Sequence, residues 1–286
     1  MKKPTRTNFL FKTKADTLKQ LTELVKQSKI EKIYAFTVEE WQRSRIGILK
    51  HISSNFNKKI IVRSSAVGED STISSKAGSY ESILNVNTSS KKEITNAINS
   101  VISSYEIKNN NNNNNQILIQ NQTLNVVISG VIFTRTPDVG SPYFVINFEE
   151  GNLTTGVTKG SINNTVKIFR KINPKLISKK WTCLIISVKE IEKIVNSDKL
   201  DIEFGITKNN QVVLFQVRPL TSIKEKSKNI PDHDISKIVL KSKKQFKKLN
   251  NFHHVLGNKT VFSDMADWNP AEIIGINPNL LDYSLY

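Results

Sequence analysis

The chain has little of several things that would narrow its class. Cys183 is the single cysteine among 286 residues, so an intrachain disulfide is impossible. It stands beside Trp181 and Leu184 and reads as a small packed hydrophobe. No apolar run approaches the roughly 18 residues of a membrane span. The opening Met1-Lys2-Lys3-Pro4-Thr5-Arg6 lacks the apolar stretch of a signal peptide. Together these absences lead to the expectation of a cytoplasmic protein in a reducing compartment. Arginine is also scarce. Lys and Arg total 42, yet Arg occupies only positions 6, 43, 45, 63, 135, 170 and 218, which leaves 35 lysines. Where Arg persists in so Lys-biased a chain, fork geometry is a reason to look. Arg63, Arg135 and Arg218 stand out on that ground.

A hydrophobic content of 38% is enough for a sizeable core, in one large domain or two smaller ones. The formal charge of +17 would suit a polyanionic partner. The lysines are dispersed, however, with little aromatic interleaving, so a basic nucleic-acid binder is only a distant alternative.

Leu18, Leu21, Leu24 and Val25 mark one face of a helix from about Ala15 to Ser28. Thr37 and Glu40 have capping-box spacing and open a second helix. Ile60-Ile61-Val62 reads as a short buried strand. It feeds Arg63-Ser64-Ser65-Ala66, which is expected to be a polar segment outside the core. Ser82 to Val86 reads as a strand, and Ser90 with Glu93 opens a helix to about Ile102. The asparagine run 109–115 predicts an exposed loop and a boundary between two lobes, 1–108 and 116–222. Strands follow at Ile117–Gln120, Val126–Phe133, Tyr143–Asn147 and Val166–Phe169, then a helix at about Ser187–Val195. Residues 223–260 read as a Lys-rich linker with one charged helix, and 261–286 as the start of a following, truncated domain. Strand and helix mix without regular alternation, so the expected class is α+β with largely antiparallel sheets.

The sharpest local pattern is a hairpin. Leu200–Thr207 and Val212–Arg218 flank Asn209-Asn210, which suits a two-residue turn. That register sets Glu203 opposite Gln216 and Asp201 opposite Arg218. All four polar groups then share one sheet face, while Ile202, Phe204, Ile206, Phe215 and Val217 turn to the core. Two carboxylates and an amide oxygen suit Mg²⁺, and a guanidinium suits phosphate. A solvated face with cross-strand pairs would use the same residue types.

Three stretches add a resemblance. Ile61-Val62-Arg63-Ser64-Ser65-Ala66, with Glu69-Asp70 and Ala77-Gly78-Ser79-Tyr80-Glu81-Ser82, is the first. Ser129-Gly130-Val131-Ile132-Phe133-Thr134-Arg135-Thr136-Pro137 is the second. Asp201-Ile202-Glu203-Phe204 with Phe215-Gln216-Val217-Arg218-Pro219-Leu220 is the third. In this order they resemble the nucleotide-binding part of the phosphoenolpyruvate synthase and pyruvate phosphate dikinase family, over roughly Phe11 to Thr221. The resemblance implies an ATP-grasp fold, in which two lobes clamp ATP. It implies that Arg63 contacts the terminal phosphates and Arg218 supports them. Glu203 and Gln216 would hold Mg²⁺, with Asp201 as a further metal candidate. Lys14 matches an ATP-binding lysine, although Lys12-Thr13 replaces the family's glycine pair. Gln120 matches a glutamine near the adenine edge. Gly130 and Phe133 read as packing residues.

The family relays phosphoryl groups through a histidine on a mobile domain to an acceptor such as pyruvate. His51, His233, His253 and His254 lack the expected glycine- and threonine-rich context. The implied protein is the ATP-binding module of a phosphotransferase, acting with separate phosphohistidine and acceptor domains. The alternative is a truncated nucleotide-binding remnant without turnover. The tail from Phe262 to Gly275 resembles glutamine kinase-like members, where Asp264, Asp267 and Glu272 could line a substrate site. The ending Leu281-Asp282-Tyr283-Ser284-Leu285-Tyr286 reads as mid-domain, as in a fragment or half of a split enzyme.

Overall fold

The computed structural model describes residues 9–67, 81–107, 110, 112–151, 164–223 and 231–249. The chain divides into two compact units, Met1–Asp232 and His233–Tyr286. The first half of unit one runs α1 (Lys14–Thr22), β1 (Ile33–Thr37), α2 (Val38–Asn55), β2 (Lys59–Ser65), β3 (Ser82–Asn87), α3 (Lys91–Ile107) and β4 (Gln116–Asn121). It continues through β5 (Val126–Phe133), β6 (Tyr143–Glu150), β7 (Asn164–Phe169), α4 (Lys179–Val195), β8 (Leu200–Thr207) and β9 (Val212–Pro219). A further helix, α5 (Asp232–Leu249), supplies the described residues of the second unit. The strands form two antiparallel sheets, β1-β4-β2-β3 and β7-β6-β5-β8-β9. This is the expected α+β architecture, and it agrees with an ATP-grasp arrangement. Among the described residues no helix is long and apolar enough to cross a membrane.

Each sheet buries one face under helices. On the first, Trp41, Ile48 and Ile52 of α2 and Ile94, Ile98 and Val101 of α3 meet Phe36, Ile60, Val62, Ile117 and Ile119. On the second, Trp181, Leu184, Val188 and Ile191 of α4 meet Ile128, Ile132, Phe144, Ile146, Ile202 and Phe204. Side chains alternate along a strand, so the opposite face of each sheet is left for polar groups. The second core also takes Ala15, Leu18 and Leu21 of α1 and Leu118 of β4. Helix α1 touches both β1 and β9 and so lies against both sheets.

Several local expectations hold. Thr37 and Glu40 form the capping box of α2, with Glu40 N–H donating to Thr37 Oγ1 at 3.1 Å and Thr37 N–H donating to Glu40 Oε2 at 2.7 Å. Others need correction. Helix α1 stops at Thr22, because the next turn is held elsewhere: the backbone N–H groups of Lys26 and Gln27 donate to the Glu190 carboxylate. Helix α4 begins eight residues before Ser187, since Trp181 and Leu184 extend its buried stripe. Arg63, Ser64 and Ser65 lie inside β2 and are buried, not in a polar loop. Strand β1 adds to the elements expected, and its β-branched and aromatic residues Ile33, Tyr34, Phe36 and Thr37 suit a strand. The asparagine run does not separate the sheets, because β4 sits between β1 and β2. Its last member, Asn115, is fully buried; its carbonyl accepts from Val38 N–H at 2.9 Å and its Oδ1 accepts from Val67 N–H at 3.0 Å. The asparagine side chain mimics backbone, which gives this loop an ordered use. The tail 261–286 and its candidate Asp264, Asp267 and Glu272 lie outside the described residues.

Gly130, central in β5, is a packing residue as read. A Cβ there would stand 2.3 Å from the Asn147 carbonyl oxygen and 3.0 Å from Phe148 Cα. Those are backbone atoms of the paired strand and cannot retreat without parting β5 from β6. Gly130→Ala is expected to destabilise the fold by about 3 kcal/mol. Thermal melting checks this; an unchanged midpoint would contradict the close approach.

Candidate functional site

The hairpin of β8 and β9 pairs Asp201 with Arg218, Ile202 with Val217 and Glu203 with Gln216, as expected. Its turn differs. Thr207 N–H donates to the Gln211 carbonyl at 3.0 Å, and Asn210 takes the left-handed conformation at φ 59°. The loop is therefore the three residues 208–210, not Asn209-Asn210 alone, and asparagine suits its left-handed position. The one-residue slip is undone by a β-bulge: beyond it Phe204 pairs with Leu214, leaving Phe215 as the extra residue.

The bulge changes what faces the site. Leu214 and Val217 are in the core, but Phe215 is in neither apolar cluster. Its ring lies against Gly205, with Cζ 2.9 Å from where a Cβ on that glycine would stand. Phe215 and Gln216 thus both project on the Glu203 side. The expectation that Phe215 joins Ile202, Phe204, Ile206 and Val217 in the core is corrected for Phe215 alone.

Arg63 arrives from the other sheet. Its Nη2 donates to Glu203 Oε2 at 2.7 Å, and its Nη1 donates to the Phe215 carbonyl at 2.7 Å. A bulged residue has a disrupted ladder, which leaves that carbonyl available. The pair is largely buried, with 7% and 19% of the two side chains exposed. Beside it, Arg218 directs both Nε and Nη2 at Asp201 Oδ2, at 2.9 and 2.7 Å. Asp201 Oδ1 is buried without a hydrogen-bond partner among the described residues.

Burial raises the Glu203 pKa, but Arg63, Lys14 and Arg218 lower it more, and the net direction is down. Asp201 goes the other way, to about 6: burial dominates over Arg218, and Glu203 adds repulsion. Two carboxylates two residues apart are thereby driven in opposite directions. Among the described residues no three His, Cys, Asp or Glu side chains cluster to hold a metal. A cation here would rely on Glu203, Asp201 and the amide oxygen of Gln216.

Lys14 is buried at the first turn of α1, close enough to lower the Glu203 pKa. Ser65 fixes that helix start, because its Oγ accepts the Ala15 N–H at 2.9 Å. Thr13 caps the helix through Asp16 N–H and donates to Gln116 Oε1 at 2.7 Å. The residues that replace a glycine pair therefore close the helix end. Tyr105 completes the anchor by accepting from Ser65 N–H and donating to the Gln116 carbonyl. Ser65, Gln116 and Tyr105 escaped the sequence reading; the spacing of Thr13 and Asp16 was the available signal.

Gln120 is fully buried, and neither its amide oxygen nor its nitrogen has a partner among the described residues. Pairing of Ile61 with Gln120 and of Arg63 with Leu118 sets these four on one face of the first sheet. Arg135 does use its fork, but on protein groups: it holds Asp198, Asp232 and the Gly140 carbonyl. Arg170 likewise grips Glu192 bidentately. His51 lies against Tyr34 and His233 pairs with Asp234, while His253 and His254 fall outside the described residues.

The family model for the pyruvate phosphate dikinase AMP/ATP-binding domain matches residues 10–189. That span holds Lys14, Arg63 and Gln120 and ends before the hairpin. A search of curated proteins gives no match. Among solved structures, the D-Ala:D-Ser ligase VanG of Enterococcus faecalis is similar at 13% identity and TM-score 0.44, over 73% of this chain and 53% of that one. The D-alanine-D-alanine ligase of Helicobacter pylori is similar at 17% identity and TM-score 0.42, over 73% and 51%. The chain spans about half the length of these structures.

The raised Asp201 pKa has a testable consequence. A carboxyl whose folded pKa exceeds its unfolded value, about 4, favours folding when protonated. Its contribution is full below pH 4 and is lost as pH rises through about 6. Asp201→Asn should remove that component. Urea unfolding from pH 4 to 7 should show wild type losing stability relative to the variant by on the order of 2 kcal/mol. A pH-independent difference would contradict the assignment.

Proposed function

Because the chain belongs to the family of the pyruvate phosphate dikinase AMP/ATP-binding domain, we propose that it binds ATP with Mg²⁺ between its two sheets as the nucleotide module of a phosphotransferase. Phosphoryl groups would then pass through a histidine on a separate domain to a small-molecule acceptor. The observation that carries this reading is the Arg63–Glu203 contact. It brings a guanidinium, a group suited to phosphate, from one sheet onto a carboxylate, a group suited to a metal ion, of the other at 2.7 Å.

The chain's own residues divide the work. Glu203 and Gln216 offer hard oxygens from paired positions, and Asp201 Oδ1 is a third. Arg63 and Lys14 bring positive charge from β2 and α1 toward the same carboxylate, and Arg218 adds it from β9. Bound Mg²⁺ would screen phosphate charge during transfer. Across their contact Arg63 and Glu203 neutralise each other. Nucleotide and metal give each a new partner, Arg63 the phosphate and Glu203 the cation. ATP and Mg²⁺ are therefore expected to bind synergistically. Gln120, whose buried amide has no partner among the described residues, is the residue for the base edge.

Calorimetry tests this. Wild type should bind ATP at least about tenfold, or 1.4 kcal/mol, more tightly with Mg²⁺ than with a chelator. Glu203→Gln should abolish that difference while metal-free ATP affinity stays equal or improves, because Arg63 is released. ATP binding that ignores Mg²⁺, or no binding at millimolar ATP, would overturn the proposal.

A further inference from the structure

Lys14 stands where a lysine is unfavourable. It is the first residue of α1, so its charge opposes the positive end of the helix dipole. It is also only 5% exposed, so that charge is largely withdrawn from water. The backbone beneath it is held from outside the helix. The first four N–H groups of a helix have no partner within it. Two of those of α1 go to side chains: Ala15 N–H donates to Ser65 Oγ at 2.9 Å, and Asp16 N–H donates to Thr13 Oγ1 at 3.2 Å.

Both acceptors meet at Gln116. Its Oε1 accepts from Thr13 Oγ1 at 2.7 Å and from Ser65 Oγ at 3.3 Å. Ser65 and Gln116 form the final pair of the β2–β4 ladder. Tyr105 of α3 bridges that pair. Its hydroxyl accepts from Ser65 N–H at 2.9 Å and donates to the Gln116 carbonyl at 2.6 Å. The residue is 2% exposed, and it belongs to the core of the first sheet. The phenol oxygen is thus closed off from any ligand. It acts on the main chain of the two residues that hold the start of α1.

We infer that Tyr105 is a positioning residue for phosphate binding, acting through Ser65, Gln116 and Thr13 on the first turn of α1 and so on Lys14. This rests on the nucleotide reading above and adds the residues that give its lysine a fixed place. Arg63 lies two residues before Ser65 on β2. One phenol therefore sets the separation of two cations carried by different elements. Tyr105→Phe removes a single oxygen and keeps the ring in the core. It leaves the Ser65 N–H and the Gln116 carbonyl without their bridge, and the helix start loses its support from β2.

The test is a double-mutant cycle read by calorimetry with Mg-ATP. The proteins are wild type, Tyr105→Phe, Thr13→Val, Thr13→Ser, Lys14→Met and the variant combining Tyr105→Phe with Lys14→Met, each with its melting temperature. Tyr105→Phe should weaken Mg-ATP about fivefold, and Thr13→Val by a similar factor. Thr13→Ser keeps the hydroxyl and should keep wild-type affinity. With Lys14→Met in place, Tyr105→Phe should change the affinity by less than about twofold, since the side chain it positions is gone. A phenol that serves stability alone would lower the melting temperature and leave the affinity of the folded protein unchanged. That result would overturn the inference, as would the same loss of affinity with and without Lys14. If wild type binds Mg-ATP and Lys14→Met binds it equally well, this inference fails and the nucleotide reading stands. If wild type binds no ATP, the nucleotide reading fails and the inference with it.

Discussion

The contact between Arg63 and Glu203 is the constraint from which the rest of the site follows. Both side chains are mostly withdrawn from water. Two ions so placed pay heavily in desolvation, and their attraction repays it only while both are present. Leaving either one alone costs about 3–5 kcal/mol. The pair therefore sets a condition on any ligand. It must supply a counter-charge to each partner, an anion for the arginine and a cation for the carboxylate. A metal–phosphate complex meets that condition, whereas a simple anion or a simple cation meets half of it. The contact also joins β2 to β8, so the sheets are held at their polar faces as well as through the shared apolar core.

Much of the remaining architecture fixes where those two groups stand. Ser65 lies two residues beyond Arg63 on the same strand and accepts the Ala15 N–H. The strand that carries the arginine thus also sets the start of the helix that carries Lys14. At the far end, the segment after α1 is tied to the second sheet. Lys29 N–H donates to the Val212 carbonyl at 2.8 Å, and Glu190 of α4 holds the turn before it. Helix α1 is clamped at both ends between the sheets. The Asp201–Arg218 pair stands behind this arrangement. Its burial is deep enough that Asp201 gains a pKa near 6, while Glu203, with three cations around it, stays below its ordinary value.

Legibility in the sequence tracked the range of the interaction that decides each feature. The capping box at Thr37 and Glu40 is local, and it was readable. So was the Asp201–Arg218 and Glu203–Gln216 register, because alternation in a hairpin is a local rule. The register survived for a reason the sequence does not display. A three-residue loop slipped the pairing by one, and the bulge at Phe215 returned it. Phe215 looked like core because it alternates with Val217, and only the bulge breaks that alternation. The buried place of Ser64 and Ser65 was hidden for another reason. Polar residues read as loop, yet β2 is central in its sheet and Ser65 finds long-range partners in Ala15 and Tyr105. Asn115 is the same case, with its neighbours suggesting solvent and its tertiary bonds placing it inside. The scarcity of arginine singled out Arg63, and the family resemblance supplied its role and Lys14, since residues so far apart in the chain have no spacing signal. That they converge on Glu203 is a property of the fold.

The exchange of partners at the centre is the claim that everything else serves, and a crystal structure with Mg²⁺ and a non-hydrolysable ATP analogue tests it most directly. The account predicts that Glu203 turns to the metal together with Gln216 and that Arg63 moves onto a phosphate oxygen. Their present 2.7 Å contact should then open beyond hydrogen-bond distance. A structure with the nucleotide bound and the Arg63–Glu203 contact intact, or with the phosphates seated away from both residues, would contradict it.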